Sequence, residues 1–226
     1  MEAKILIQFP TRQRPEKFLY VAKKYIDLLN NKADWVMNVS CDEDDESMNN
    51  PRMIERIYNL APDSQITLNF NPNQNKIDAI NADVDSLEFD ILILASDDMI
   101  PRERGYDNII RKYFNNYFPT FDGVLHFDDG HQHEKLNTLC ILGRYYYERF
   151  HYIYHPTYIS LWADNEFSEV SRTLGKSRYI EEVIIKHEHP ASNSNILTDD
   201  LYIKNNTFEL TDRTNYRKRK LLNFNL

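Results

Sequence analysis

The chain has 226 residues, 42% of them hydrophobic, enough to bury a real core in one large or two small domains. The formal net charge of -8 argues against a nucleic-acid binder, and two cysteines, Cys41 and Cys140, are too few for a disulfide framework or a cysteine zinc site. No apolar run approaches the roughly 20 residues that span a bilayer, and Gln8 and Arg12 interrupt any signal-like stretch after MEAKILI, so the expectation is a cytoplasmic protein.

Lys4–Phe9 is a short apolar run ending in a Pro10–Pro15 loop, which predicts a buried strand. Pro15 stands where a helix would begin. Phe18, Val21, Ala22, Tyr25, Ile26 and Leu29 then fall at the spacing of an amphipathic helix. Trp35–Ser40 predicts a second strand, ending in the acidic loop Asp42–Glu46. Pro51–Leu60 reads as a helix, Gln65–Phe70 as a third strand and Asn75–Ala82 as a short helix. Phe89–Ala95 (FDILILA) is the most apolar run, as expected of a central parallel strand covered on both faces. Strands alternating with helices predict an α/β sheet with right-handed crossovers. Ligands of such sheets bind beyond the carboxyl ends of the strands. That rule selects Thr11 and Arg12, then Asp42, then Ser96, Asp97 and Asp98.

The second half is less regular. Gly105–Phe118 reads as an aromatic-rich helix, Gly123–Phe127 and Thr138–Leu142 as strands, and Leu161–Leu174 as a helix stopped by Gly175. Tyr179–His187 reads as one more strand. A polar tail follows, with a short helix around Ile196–Ile203 and a basic cluster formed by Arg213 and residues 217–220.

Asp97-Asp98 carries the strongest chemical signal. Adjacent carboxylates at a strand end repel one another unless a cation or donors neutralise them. Mg²⁺ and Mn²⁺, the hard cations that carry diphosphates, favour such oxygen ligands. An ordinary acidic turn leading into a Met99–Pro101 loop is the competing reading. His126, Asp128, Asp129, His131 and His133 form a second dense cluster, but its spacing matches no zinc signature.

Taken together, PTRQRP, Asp42, NKIDAINAD, ILILASDDMIP and WADNEF resemble, in order and spacing, the GT-A nucleotide-diphospho-sugar glycosyltransferases. The likeness is to their large inverting family, over roughly residues 4 to 189. The resemblance implies an α/β, Rossmann-like GT-A fold with a mostly parallel sheet and a smaller acceptor-side subregion. One catalytic domain would cover residues 1–190, with a nucleotide-sugar half to residue 100, an acceptor half after it, and an extension over 191–226. It implies donor binding by Pro10, Thr11, Arg12, Asp42, Asn75, Lys76, Ser96 and Asp97. Mn²⁺ or Mg²⁺ would be held at Asp98 or Asp97, with a late histidine, His187 or His189. Ser96 stands where the family's motif has its first acid. Asp164 takes the position of the family's general base, with Glu166 as the competing acid two residues on, although Ala163 replaces a usual Glu. Asp164 is also a good helix cap, and the two roles are compatible.

On the acceptor side the resemblance points to Trp162, an aromatic that could stack on a sugar, and to His131. Packing is the more common explanation of such aromatics, Tyr145, Tyr146 and Tyr147 included. The implied partners are a nucleotide-diphospho-sugar and a glycan or lipid-linked sugar; a modified base of phage DNA is a minority alternative. Two rival readings are a sugar nucleotidyltransferase, which needs a Gly-rich loop that PTRQRP lacks, and a non-catalytic carbohydrate- or partner-binding protein.

Overall fold

The computed structural model describes residues 2–188 and 200–226. Four parallel strands form one half of the main sheet: β1 (Ile5–Thr11), β2 (Trp35–Asp42), β3 (Ile66–Asn71) and β4 (Ile91–Leu94). The chain builds outward from β1 through β2 to β3, then returns across β1 to β4. Strand order therefore reverses between β1 and β4, where an open α/β sheet forms its ligand crevice. A short strand β5 (Met99–Pro101) then leaves the main sheet. Beyond β4 the sheet continues through β7 (Ile141–Gly143), β6 (Val124–Phe127) and β8 (Ser177–Ile180), giving seven strands in the order β3-β2-β1-β4-β7-β6-β8. Of these only β7 runs antiparallel to its neighbours. β9 (Ile185–His187) pairs antiparallel with β5.

The helices are α1 (Pro15–Leu28), α2 (Pro51–Tyr58), α3 (Lys76–Asn81), α4 (Tyr106–Tyr117), α5 (Arg144–Tyr147), α6 (Ala163–Thr173), α7 (Asp200–Asn206) and α8 (Glu209–Leu221). The pleat sends alternate strand residues to opposite faces. Ile5, Ile7, Ile91 and Ile93 meet Phe18, Val21, Ala22 and Tyr25 of α1 and Phe114 of α4. Leu6, Leu92 and Leu94 meet Ile77 and Ile80 of α3, Tyr146 and Tyr147, and Phe167 of α6. Residues 91–95, ILILA, are thus apolar at every position because both faces of the strand are covered.

A buried amide ladder crosses the parallel strands. Asn69 Nδ2 donates to Asn38 Oδ1 at 2.9 Å, and Asn38 Nδ2 donates to Gln8 Oε1 at 2.8 Å. Gln8 Nε2 donates to the carbonyls of Ile80 and Ala82, each at 3.1 Å. The polar residue that breaks the first apolar run therefore fastens the end of α3, whose start lines the crevice.

Three sequence expectations change. The single strand expected at Tyr179–His187 is two strands in different sheets, because exposed Glu181 and Glu182 carry the chain out of the main sheet before Ile184 and Ile185 bury again. Met99–Pro101, expected as a loop, is a buried strand. The polar tail holds a 13-residue helix, α8, whose buried face is formed by the charged residues Asp212 and Arg219 and is invisible to hydropathy. The short helix expected at Ile196–Ile203 overlaps α7 from residue 200; its first four positions lie outside the described residues.

Candidate active site

The carboxyl ends of β1, β2 and β4 open into one cleft of about 390 Å³. At its β1–β2 side lie Pro10, Thr11, Arg12 and Asp42. Arg12 Nη1 donates to Asp42 Oδ2 and to Asp44 Oδ1, each at 2.5 Å. Asp44 and then Asp42 hold the guanidinium pKa above its ordinary value against the cost of burial. Asn73 Nδ2 donates to the other Asp42 oxygen at 2.8 Å. Buried Asp45 ties the loops after β1 and β2 together, accepting the Gln13 N–H at 2.7 Å. Asn75 caps α3 by accepting the N–H groups of Ile77 and Asp78, and both it and Lys76 line the cleft.

Asp97 and Asp98 differ in their surroundings. Buried Asp97 accepts from Arg14 Nη1 at 3.1 Å and from Lys17 Nζ at 3.2 Å, so it anchors the start of α1 to the end of β4. Asp98 accepts from the Ser96 hydroxyl, and its Oδ2 lies 3.7 Å from His187 Nε2. Strand pairing creates that meeting: Met99 on β5 stands opposite His187 on β9, and the Glu188 N–H donates to the Asp98 carbonyl at 2.7 Å. Asp97→Asn is therefore expected to act mainly on stability. Weakening two charge-assisted bonds should cost about 1.5–3 kcal/mol, read as a melting point several degrees lower, at roughly 2–4 °C per kcal/mol for a chain of this size. A melting temperature equal to wild type would remove the anchoring role.

His187 sits between two carboxylates, with Nδ1 3.6 Å from Asp129 Oδ2. Burial alone would lower its pKa, but Asp129 and Asp98 outweigh that and raise it to about 9. Asp129 in turn accepts from the Thr138 hydroxyl at 2.6 Å and from the N–H groups of His131 and Gln132. Burial opposes these contacts, yet His187 and Thr138 hold the Asp129 carboxyl well below the usual range. An imidazole oriented by a second carboxylate is the arrangement that metal-binding histidines use. Among the described residues no three His, Cys, Asp or Glu side chains gather into a metal site. Asp98 and His187 supply two donors, which fits Mn²⁺ or Mg²⁺ when phosphate oxygens complete the shell. Loading such an ion requires His187 to give up its proton.

Asp164, the second residue of α6, lines the same cleft. It accepts the Asn165 N–H at 2.9 Å. Burial raises its carboxyl pKa, against the opposing charge of Lys76. Glu166 lies outside the cleft. Arg219 grips both of its oxygens at 2.7 Å, and the Tyr158 hydroxyl donates to it at 2.7 Å. The acceptor-side expectations also fall outside the cleft lining. Trp162 packs on Tyr216, ring centroids 5.2 Å apart, and His131 sits in the loop that Asp129 fastens. Tyr146 and Tyr147 are buried in the core, whereas Tyr145 is exposed. His189 lies outside the described residues.

The sequence reading gave no site role to Arg14, Ser160 and Lys204, all of which line the cleft. Arg14 stands inside the PTRQRP motif and could have been included with Arg12. Ser160 and Lys204 arrive through a loop and a C-terminal helix that carry no local signature. Thr11 and Ser160 line the cleft, and their hydroxyl oxygens are buried without a hydrogen-bond partner among the described residues.

No protein-family model matches the chain, and no curated protein sequence does. Solved structures do match. The mannosyltransferase PcManGT from Pyrobaculum calidifontis, in complex with GDP-Man and Mn²⁺, superimposes with a TM-score of 0.66 at 14% identity, over 85% of this chain and 59% of that one. Residues 1–349 of S. aureus TarS give a TM-score of 0.64 at 10% identity, over 83% of this chain and 61% of that one, and TarS is also solved with UDP-GlcNAc. A CMP:2-keto-3-deoxy-manno-octonic acid synthetase complexed with CTP gives 0.52 at 12% identity, over 86% of this chain and 96% of that one. The chain spans about three fifths of the mannosyltransferase and TarS chains. With its strand reversal between β1 and β4, its single antiparallel β7 and these superpositions, the chain has the GT-A fold.

Proposed function

We propose that the chain is a metal-dependent glycosyltransferase that moves a sugar from a nucleotide-diphosphate donor to an acceptor hydroxyl, with inversion. The observation that carries this reading is the convergence on one cleft of Asp98 beside His187 and of Asp164 with a raised pKa. The fold agrees: PcManGT and TarS, which share it, were solved with GDP-Man and UDP-GlcNAc. In this reading Thr11, Arg12, Asp42, Asn75 and Lys76 hold the nucleotide and diphosphate. Asp98 and His187 hold Mn²⁺ or Mg²⁺, which when bound offsets charge on the departing diphosphate. Asp164 accepts the proton of the attacking hydroxyl, and direct attack inverts the anomeric centre.

The acceptor is a glycan or lipid-linked sugar. A DNA acceptor is disfavoured by the net charge of -8. It is disfavoured too by the pairing of Arg213, Arg219 and Lys220 with Glu209, Glu166 and Glu169. A nucleotidyltransferase is disfavoured by the absence of glycine from PTRQRP. A thermal-shift panel of UDP-, GDP- and CMP-sugars and CTP, with and without Mn²⁺, tests the reading. A sugar nucleotide at 100 times its Kd should add about 2.7 kcal/mol, or roughly 5–10 °C, only when Mn²⁺ is present. Stabilisation by CTP alone would favour the nucleotidyltransferase, and a flat panel would sink both.

A further inference from the structure

We propose that Asp212 of α8 is a positioning residue for this cleft: it fixes residues 159–161, the stretch of cleft wall that leads into α6, so that Asp164 keeps its place beside a bound ligand. The inference rests on the glycosyltransferase reading above. Asp212 is fully buried, yet it belongs to a helix with a mostly polar sequence. Its carboxylate accepts three consecutive backbone N–H groups, from Ile159 at 3.0 Å, Ser160 at 2.9 Å and Leu161 at 2.8 Å. All three residues line the cleft, immediately before α6 brings in Asp164.

The next residue, Trp162, has a φ of 65°, in the left-handed region that a bulky side chain avoids. Such a conformation persists only where its surroundings over-determine it. α8 supplies those surroundings on both sides. Asp212, Tyr216 and Arg219 fall at i, i+4 and i+7, one face of the helix. Asp212 binds the loop before Trp162, Tyr216 packs on the Trp162 ring, and Arg219 holds Glu166 one half-turn past Asp164. Thus α8 grips the chain on either side of Asp164 without lining the cleft at any of these three positions. Groups that do chemistry hold their geometry only when a supporting shell fixes them.

Asp212→Asn and Asp212→Ala test this, beside a control core variant remote from the loop, Ile57→Val on α2. Two readouts are needed: amide hydrogen exchange of residues 159–162, and Mn²⁺-dependent hydrolysis of UDP-GlcNAc and GDP-mannose, with kcat and KM separated and corrected for folded fraction. Asp212→Ala should exchange these amides at least about 10-fold faster, and kcat should fall at least about 10-fold while donor KM changes less than about twofold. Asp212→Asn, which keeps one acceptor oxygen, should lie between it and wild type. Ile57→Val should move neither readout. Unchanged kcat per folded molecule, or donor KM rising in step with the loss of kcat, overturns the positioning role. If wild type hydrolyses neither donor, the glycosyltransferase reading is what fails. The clamp is then decided by amide exchange alone, and unchanged exchange in Asp212→Ala removes it.

Discussion

Asp98→Ala is expected to abolish Mn²⁺-dependent binding of a nucleotide sugar while leaving the fold intact. The prediction follows from the division of labour between the adjacent acids. Arg14 and Lys17 engage Asp97, whereas Asp98 points toward His187 across 3.7 Å. With only two protein donors in the set, removing one leaves an imidazole alone to hold the cation. Altering a group behind a ligand typically costs 10–100-fold in metal affinity, so losing a ligand should cost more than about 100-fold. Titration calorimetry with GDP-mannose and UDP-GlcNAc, with and without Mn²⁺, measures this. EDTA should bring wild type down to the level of the mutant and should leave the mutant unchanged. Equal affinity in the two proteins would remove the metal site from the proposal.

The parts of this site that sequence revealed are those set by local pattern. The ILILA run of FDILILA had to be a central strand because five consecutive apolar residues need cover on both faces. Its end then located Asp97 and Asp98. The alternation of strands and helices through residue 95 supplied the crossovers, and with them the crevice where Arg12 and Asp42 meet at 2.5 Å. What local pattern could not supply was long-range register. His187 reaches Asp98 because β9 pairs with β5, two three-residue strands separated by more than 80 positions. Nor could it rank Asp97 against Asp98, since their difference lies in Arg14 and Lys17 on the other side of the crevice. The contribution of α8 was hidden for another reason. Its buried face is built from Asp212 and Arg219, whose burial is favourable only because backbone N–H groups and Glu166 meet them. Hydropathy reads the same residues as a solvated tail.

The same contrast between cleft and scaffold separates Asp164 from Glu166. Asp164→Asn is expected to reduce hydrolysis of the bound nucleotide sugar, with water as the acceptor, by roughly 10²–10⁴-fold, the usual contribution of a general base. Donor affinity should stay near wild type, because a base must reach the acceptor and need not touch the donor. Stability gives an independent sign. Burial raises the Asp164 pKa in the folded state, so the folded protein binds protons more readily there than the unfolded chain. Stability linked to this group is therefore lost as pH rises through the window between the ordinary carboxylate pKa and the raised one. At neutral pH the charge is a cost, and Asn removes it, so the melting temperature of Asp164→Asn should equal or exceed that of wild type. The acid limb of activity should begin above the ordinary carboxylate range of about 4, where Asp164 takes up its proton, and should be absent from the residual activity of the mutant. Glu166→Gln should behave in the opposite way. Weakening the buried pair with Arg219 should lower the melting temperature, with a loss of turnover per folded molecule far smaller than that of Asp164→Asn. Near-normal turnover in Asp164→Asn, together with collapse in Glu166→Gln, would move the base to Glu166 and require α6 to turn that residue into the cleft.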